Sequence, residues 1–210
     1  MSVEEPGRRF SDLVHRLGGG PEVGWLYAAL AAAWAEPHRV YHGTGHLREC
    51  LAELDGAPAD GADRSTVEAA LWFHDAVYDP RSSDNEARSA AWAERALREA
   101  GVDPATAAEV GRLVLLTRHV EPAGDPGGAL VCDVDLSILG RPPAVYDEFE
   151  RGIRAEYAWV PEPVYRAERA RILAQFLARE PLYRTGHFRA RYEAPARENL
   201  SRAVARLSER

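Results

Sequence analysis

Four stretches of the chain place ligand-type side chains where apolar residues would pack better. YHGTGH carries His42 and His46, four residues apart, and LWFHDAVYDP carries His74 and Asp75 in the middle of an apolar run. TRH closes an apolar segment with His119, and CDVDLSILG holds Asp133 and Asp135. A buried carboxylate beside an imidazole is costly unless something compensates it. A divalent cation compensates both groups, since it offsets carboxylate charge and uses imidazole lone pairs. Two His and two Asp from three helices hold one ion and leave positions for water, as a catalytic metal requires. Singly these residues say less. A lone His beside apolar residues is usually hydrogen-bonded, the reading for His15, His38 and His187, and Asp133 reads as a cap or a solvated residue. Glu86 reads equally well as a charge facing the orphan amides of a helix start.

Helices must position these groups, because apolar residues recur at helical spacing while period-2 alternation is scarce. The expected helices are 9–17, 22–36, 44–55, 65–77, 84–100, 104–118, 129–138, 143–158, 162–179 and 195–208, an all-α bundle with the metal site between core helices. Breaker clusters separate them at GGGP 18–21, GAPADGAD 56–63, EPAGDPGG 121–128 and GRPP 140–143, none long enough to link two domains. SDNE at 83–86 fits a helix start with Ser or Asp as cap. A single domain over residues 1–210 follows from the length.

Composition excludes several chemistries. With 26 basic and 33 acidic residues the net charge is -7, which repels nucleic-acid polymers. Every basic residue is Arg, so there is no Schiff-base lysine, P-loop lysine or lysine general base. Cys50 and Cys132 form no C-x-x-C pair and read as buried free thiols in a reducing compartment. The N-terminus has no apolar h-region, and the longest apolar run, 23–35, is too short to span a bilayer. A cytoplasmic protein with no membrane partner is expected; a homo-oligomer is compatible with the sequence, which does not fix the oligomeric state.

The ordered set resembles the HD superfamily of metal-dependent phosphohydrolases, all-helical proteins named for the adjacent His-Asp pair. YHGTGH resembles the Y-H-N-x-x-H of the cyclic-nucleotide phosphodiesterase branch, and CDVDLS resembles its C-D-L-S segment. FHDAVYDPRSSDNEARSA, DVDLSILG, EY at 156–157 and the tail from YRTGHF to AREN, 183–199, resemble a bacterial group of predicted HD phosphohydrolases, over about residues 25–200. The resemblance implies His46, His74, Asp75 and Asp135 as metal ligands, with Asp135 preferred to Asp133 because it precedes Leu-Ser. It implies His42 as the acid that protonates the leaving oxygen, and a second-metal or phosphate-contact role for His119. Gly43 replaces the usual Asn, which leaves the placement of His42 less constrained.

The expected reaction is attack of an activated water on phosphorus, with Asp75 orienting the water, His42 donating a proton and Glu86 supporting a ligand from the second shell. Arg118, Arg154 and either Arg166 or Arg169 are the cations available to meet phosphoryl charge. Tyr41, Trp72, Tyr78, Tyr157 and Trp159 are aromatic candidates for the wall of a base-sized pocket. The substrate class is a small phosphorylated molecule, plausibly a nucleotide, and the donor set admits one or two ions of Mn, Fe, Co, Ni or Zn. Three rival readings are a di-iron oxygenase on the same fold, a non-catalytic nucleotide or metal sensor, and a metal-free core in which His and Asp satisfy each other.

Overall fold

The computed structural model describes residues 4–120 and 124–209. These contain ten α-helices and no strand: α1 (Glu4–Arg16), α2 (Gly24–Trp34), α3 (Thr44–Gly56), α4 (Arg64–Phe73), α5 (Asn85–Glu99), α6 (Pro104–Leu116), α7 (Pro126–Asp135), α8 (Pro143–Glu156), α9 (Glu162–Leu177) and α10 (Gly186–Ser208). A short 3-10 helix, Leu136–Gly140, continues α7. The all-α expectation holds. Residues 121–123 of the EPAGDPGG breaker lie outside the described residues, as do 1–3 and 210. Among the described residues, no helix is long and apolar enough to cross a membrane.

Helix α4 is the axis of the bundle. Every residue from Thr66 to Phe73 is buried, and α1, α3, α5, α6 and α7 all pack on it. A helix apolar on nearly every side can only be stable when neighbours surround it. Phe10 and Tyr27 close on Trp72 edge-on, at ring separations of 5.2 and 6.2 Å, so Trp72 belongs to the core. Glu68, also buried on α4, is matched by Arg9 at 2.6 Å and Arg16 at 2.7 Å.

The expected helix 65–77 stops at Phe73, four residues early. Side chains take the carbonyls that further helical amides would use: Leu71 O accepts from His74 Nδ1 at 2.9 Å and Trp72 O from Trp34 Nε1 at 2.9 Å. Beyond the helix, the Asp75 and Ala76 carbonyls accept from Arg39. His74 and Asp75 therefore stand on a helix end, not within one.

Helix α10 begins nine residues before the expected start at Pro195. Pro195 reads as an N1 residue because it lacks an amide, but the helix runs through it. The actual cap is Thr185, whose hydroxyl accepts from Phe188 N, and Asp133 takes the amides of Arg184 and Thr185 at 2.7–3.0 Å. At the start of α5, the Asp84 side chain makes no cap bond and instead accepts from the Ser82 hydroxyl; Asn85 ties the loop to both backbone groups of Asp79.

The 3-10 helix is wedged against α10. Asn199 Nδ2 donates to Leu139 O at 2.9 Å and Arg141 O at 2.8 Å, and Tyr183 donates to Leu136 O at 2.9 Å. A Cβ on Gly140 would lie 2.5 Å from Tyr192 Cβ and 2.8 Å from its carbonyl, neither of them the mobile end of a side chain. Gly140→Ala is expected to destabilise the fold by about 1–3 kcal/mol through overpacking; urea unfolding midpoints measure it, and an unchanged midpoint would contradict the tight seam.

Candidate metal centre

The segment between α2 and α3 has almost no regular structure of its own, so its shape must come from tertiary bonds. Glu156, the last residue of α8, supplies them. Its Oε1 accepts the amides of Val40, Tyr41 and His42 at 2.8, 2.7 and 3.0 Å. Its Oε2 pairs with His42 Nδ1 at 2.6 Å and accepts from the Tyr78 hydroxyl at 2.7 Å. Burial pushes the Glu156 carboxyl up, but the His42 and Tyr78 bonds outweigh it and hold the pKa at about 2.

Arg39 closes the same segment from the other side. Its guanidinium, almost wholly buried, lies over the rings of Trp34 and Tyr78 and donates to the carbonyls of His42, Asp75 and Ala76. One side chain thus joins the His42 loop to the turn that carries Asp75. Glu36 balances its charge at 2.9 Å.

His46 enters from the first turn of α3, His74 caps the C-terminus of α4, Asp75 follows it, and Asp135 ends α7. Their reactive atoms converge. His46 Nε2 lies 3.0 Å from His74 Nε2 and 3.0 Å from Asp135 Oδ1; His74 Nε2 is 3.5 Å from that oxygen and 3.2 Å from Asp75 Oδ2; His46 Nε2 is 3.8 Å from Asp75 Oδ2. Donors about 2.0–2.2 Å from a shared ion stand about 3–3.5 Å from one another, which matches most of these spacings. His74 Nδ1 bonds Leu71 O, so its neutral form carries its proton there and offers the Nε2 lone pair to the centre.

The electrostatics favour a cation. Burial alone would push the His74 pKa down, yet Asp75 and Asp135 raise it well above the ordinary value. Burial likewise raises both carboxyls, and the His74 charge outweighs it to hold Asp75 and Asp135 low. The cluster thus draws in positive charge, and without an ion a second proton on His74 supplies it. Helices α4, α6, α7 and α8 all bring their C-terminal ends to this region, and the partial negative charge at each adds to the same field.

A cavity of about 390 Å³ opens over the cluster, a size that suits a small molecule. His42, His46, Asp75, Glu86, His119 and Asp135 line it, as do Arg118, Arg169 and Tyr157. Arg169 is neutralised by Glu150 at 2.6 Å, whereas Arg118 is exposed and makes no ion pair among the described residues. Tyr41 and Tyr78 also line the cavity.

Other expected residues go elsewhere. Arg154 is drawn to Glu162 and to the carbonyls of Tyr157 and Val160, where it holds the α8–α9 turn and takes no part in the lining. Arg166 binds the carbonyls of Arg206 and Glu209 at the end of α10. Trp159 lies outside the cavity, half-exposed under Arg81. His119 Nε2 is 2.7 Å from Asp135 Oδ2, the oxygen not shared with His46 and His74, and its backbone is left-handed at φ 53°. Asp133 faces α10, and Asp135 alone of the two faces the histidines.

Three participants were given no role at the site by the sequence. Glu156 stood only in the EY pair of the resemblance and as an acidic residue in the last turn of a helix, where the dipole disfavours it. Arg39 left no signal. Cys50 was read only as a buried thiol, yet its sulfur belongs to the group His46, Cys50, His74 and Asp135, whose ligand atoms all lie within 4.8 Å of one another. Burial, with Asp135 and Asp75 nearby, pushes its thiol pKa well up.

Compared with known proteins, the chain matches no family model, no curated protein and no solved structure. The site's own geometry is therefore what any functional reading must rest on.

Glu156 gives a pH dependence. Its folded pKa of about 2 lies below the ordinary 4.5, so its contribution is complete above pH 4.5 and is lost as pH falls toward 2. Between about pH 5 and about pH 3, wild-type stability should fall about 2 kcal/mol more than that of Glu156→Gln. Parallel urea titrations of the two proteins check this, and equal slopes would place the Glu156 proton elsewhere.

Proposed function

We propose that the protein is a metal-dependent phosphohydrolase that cleaves a phosphate ester or anhydride of a small molecule of about nucleotide size. The observation that carries the reading is the meeting of two imidazole Nε2 atoms, 3.0 Å apart, with the carboxylates of Asp75 and Asp135 at the floor of a cavity. Without an ion, one of the two facing nitrogens must carry a proton and only the other keeps its lone pair. A shared cation uses both.

His46, His74, Asp75 and Asp135 would hold the ion, which when bound acidifies a coordinated water and polarises a phosphoryl oxygen. His42 holds its proton in a defined place. Glu156 fixes Nδ1, so Nε2 is the nitrogen left to deliver a proton to the leaving oxygen. That role for Glu156 is the one a carboxylate plays behind a catalytic imidazole, orienting the ring and fixing its tautomer. The segment that carries His42 is held by Glu156 and Arg39, and Gly43 serves as N-cap of α3 without any side-chain bond. The Asn of the resembling motif is thus not needed to place the ring.

Asp75, on the cavity wall, is positioned to orient the attacking water, and Glu86 to hold a water or ligand from the facing helix. Arg118, which has no ion-pair partner among the described residues, offers positive charge for a phosphoryl oxygen, with Arg169 partly spent on Glu150. Tyr41, Tyr78 and Tyr157 give a flat substituent an aromatic wall. Membership of the HD superfamily is part of this proposal, resting on the same residues.

One observation is compatible with a two-ion variant. Asp135 presents Oδ1 to His46 and His74 and Oδ2 to His119, a division that suits either a bridging carboxylate or a carboxylate held by an outer hydrogen bond. Two ions per chain with mixed-valent iron would turn the reading toward the oxygenase; saturable nucleotide binding without turnover would turn it toward the sensor.

Two outcomes test the proposal. Elemental analysis of His74→Ala and Asp135→Ala should show loss of metal with a lower Tm than the metal-bound wild type, because binding to the native state adds stability; stoichiometric metal retained by both variants removes the assignment. His42→Ala should keep its metal and lose about 10²–10⁴-fold in kcat, measured with a generic phosphomonoester and phosphodiester across Mn, Fe, Co, Ni and Zn. A fully active variant excludes the acid role.

A further inference from the structure

We infer that Arg169 is an anion-binding arm held in reserve: a phosphoryl group in the cavity draws its guanidinium off Glu150, and the hydroxyls of Tyr146 and Tyr165 then bind the carboxylate it leaves. The inference rests on the phosphohydrolase reading of the cavity and adds the residues that decide how an anion is held there.

Tyr146 stands one turn before Glu150 on α8, and Tyr165 one turn before Arg169 on α9, so each pair shares a helix face. The two faces meet in an ion pair, with Arg169 Nη2 2.6 Å from Glu150 Oε1 and Nε 3.3 Å from Oε2. One guanidinium thereby occupies both carboxylate oxygens. Arg169 also borders the cavity, where its guanidinium lies over the Phe149 ring at 5.3 Å and Tyr157 lines the same space. Its long stem lets the charge move by rotation about side-chain bonds while α9 stays fixed.

The tyrosines point to a second state of this pair. Both are more than nine-tenths buried, and neither hydroxyl has a hydrogen-bond partner among the described residues. Other buried tyrosines have one: Tyr78 donates to Glu156, Tyr183 to Leu136 O and Tyr192 to Glu53. A buried hydroxyl without a partner is costly, and here two of them stand beside one carboxylate that is already taken. Burial raises both phenol pKa values, and Glu150 and Arg169 are the charges that act on them most, so both hydroxyls keep the proton they would donate. Removal of Arg169 alone would strand Glu150 as an uncompensated buried charge. Two phenol donors, one for each oxygen, relieve that cost and let the arginine turn to an anion.

The test measures binding of inorganic phosphate to full-length, Mn(II)-loaded protein by equilibrium dialysis, with urea unfolding of the phosphate-free proteins alongside. Glu150→Gln should bind phosphate on the order of tenfold tighter than wild type, because no carboxylate competes for Arg169. Arg169→Gln and the double variant Tyr146→Phe/Tyr165→Phe should each bind it on the order of tenfold more weakly. Without phosphate the double variant should be at least as stable as wild type, since it loses two unpartnered hydroxyls; a purely structural role for the tyrosines gives lower stability and unchanged affinity. Wild-type affinity in Arg169→Gln or in the double variant overturns the exchange and leaves the phosphohydrolase reading standing. No phosphate bound by wild type, with or without Mn(II), overturns both. Should Glu150→Gln or Arg169→Gln fail to fold, the double variant decides, because Phe keeps the packing of the Tyr ring.

Discussion

A carboxylate shut away from water must find donors for both of its oxygens, and Glu156 finds five of them in a segment that would otherwise have no fixed shape. The backbone of residues 40–42 is folded around one oxygen, and the His42 ring and Tyr78 hydroxyl are gathered at the other. Gly152 lets α8 come close enough: a Cβ there would sit 3.2 Å from Tyr41 Cβ. Arg39 is the complementary device, a buried cation whose donors bind the carbonyls of the same loop and of the turn after α4. Amides turn toward the anion and carbonyls toward the cation, and the histidine-bearing loop lies between.

This arrangement separates two problems that share one region. Glu156 satisfies its charge with amides, a hydroxyl and one ring nitrogen, and so needs no metal. Asp75 and Asp135 meet mainly imidazoles, groups that are equally at home on an ion. Asp133 is a third solution, a buried carboxylate spent on the amides ahead of α10. These four carboxylates thus have three different fates, decided by what faces each oxygen.

The legible part of the site was the part whose residue types are costly to bury without a partner. His74, Asp75 and Asp135 stood out because apolar neighbours surround them in the sequence, His42 and His46 by their spacing, and the structure brings them together. Asp133 and Asp135 could not both join: residues two apart on a helix point about 200° apart. Glu156 was hidden because its partners are 78 to 116 positions away, and Arg39 because nothing local distinguishes a buried Arg from a surface one. Arg154 looked available until the α8–α9 turn offered it carbonyls. Helix boundaries failed where side chains replaced backbone: at His74, whose ring takes a carbonyl of α4, and at Thr185, whose cap lies well before the proline that marked the expected start.

The cleft is built largely from the ends of α3, α4, α5, α6, α7 and α8, with Phe149 of α8 and Arg169 and Leu173 of α9 added from along the helix lengths. The bodies of the helices carry the cohesion of the bundle, and the candidate ligands lie at their tips. Mutational load is divided accordingly. Substitutions at the tips can alter which molecule is held without disturbing the packed interior, while drift in the interior is screened by stability alone. A scaffold of this kind lets the lining of the cleft diverge faster than the architecture, so chains that share the bundle need not share what the cleft holds.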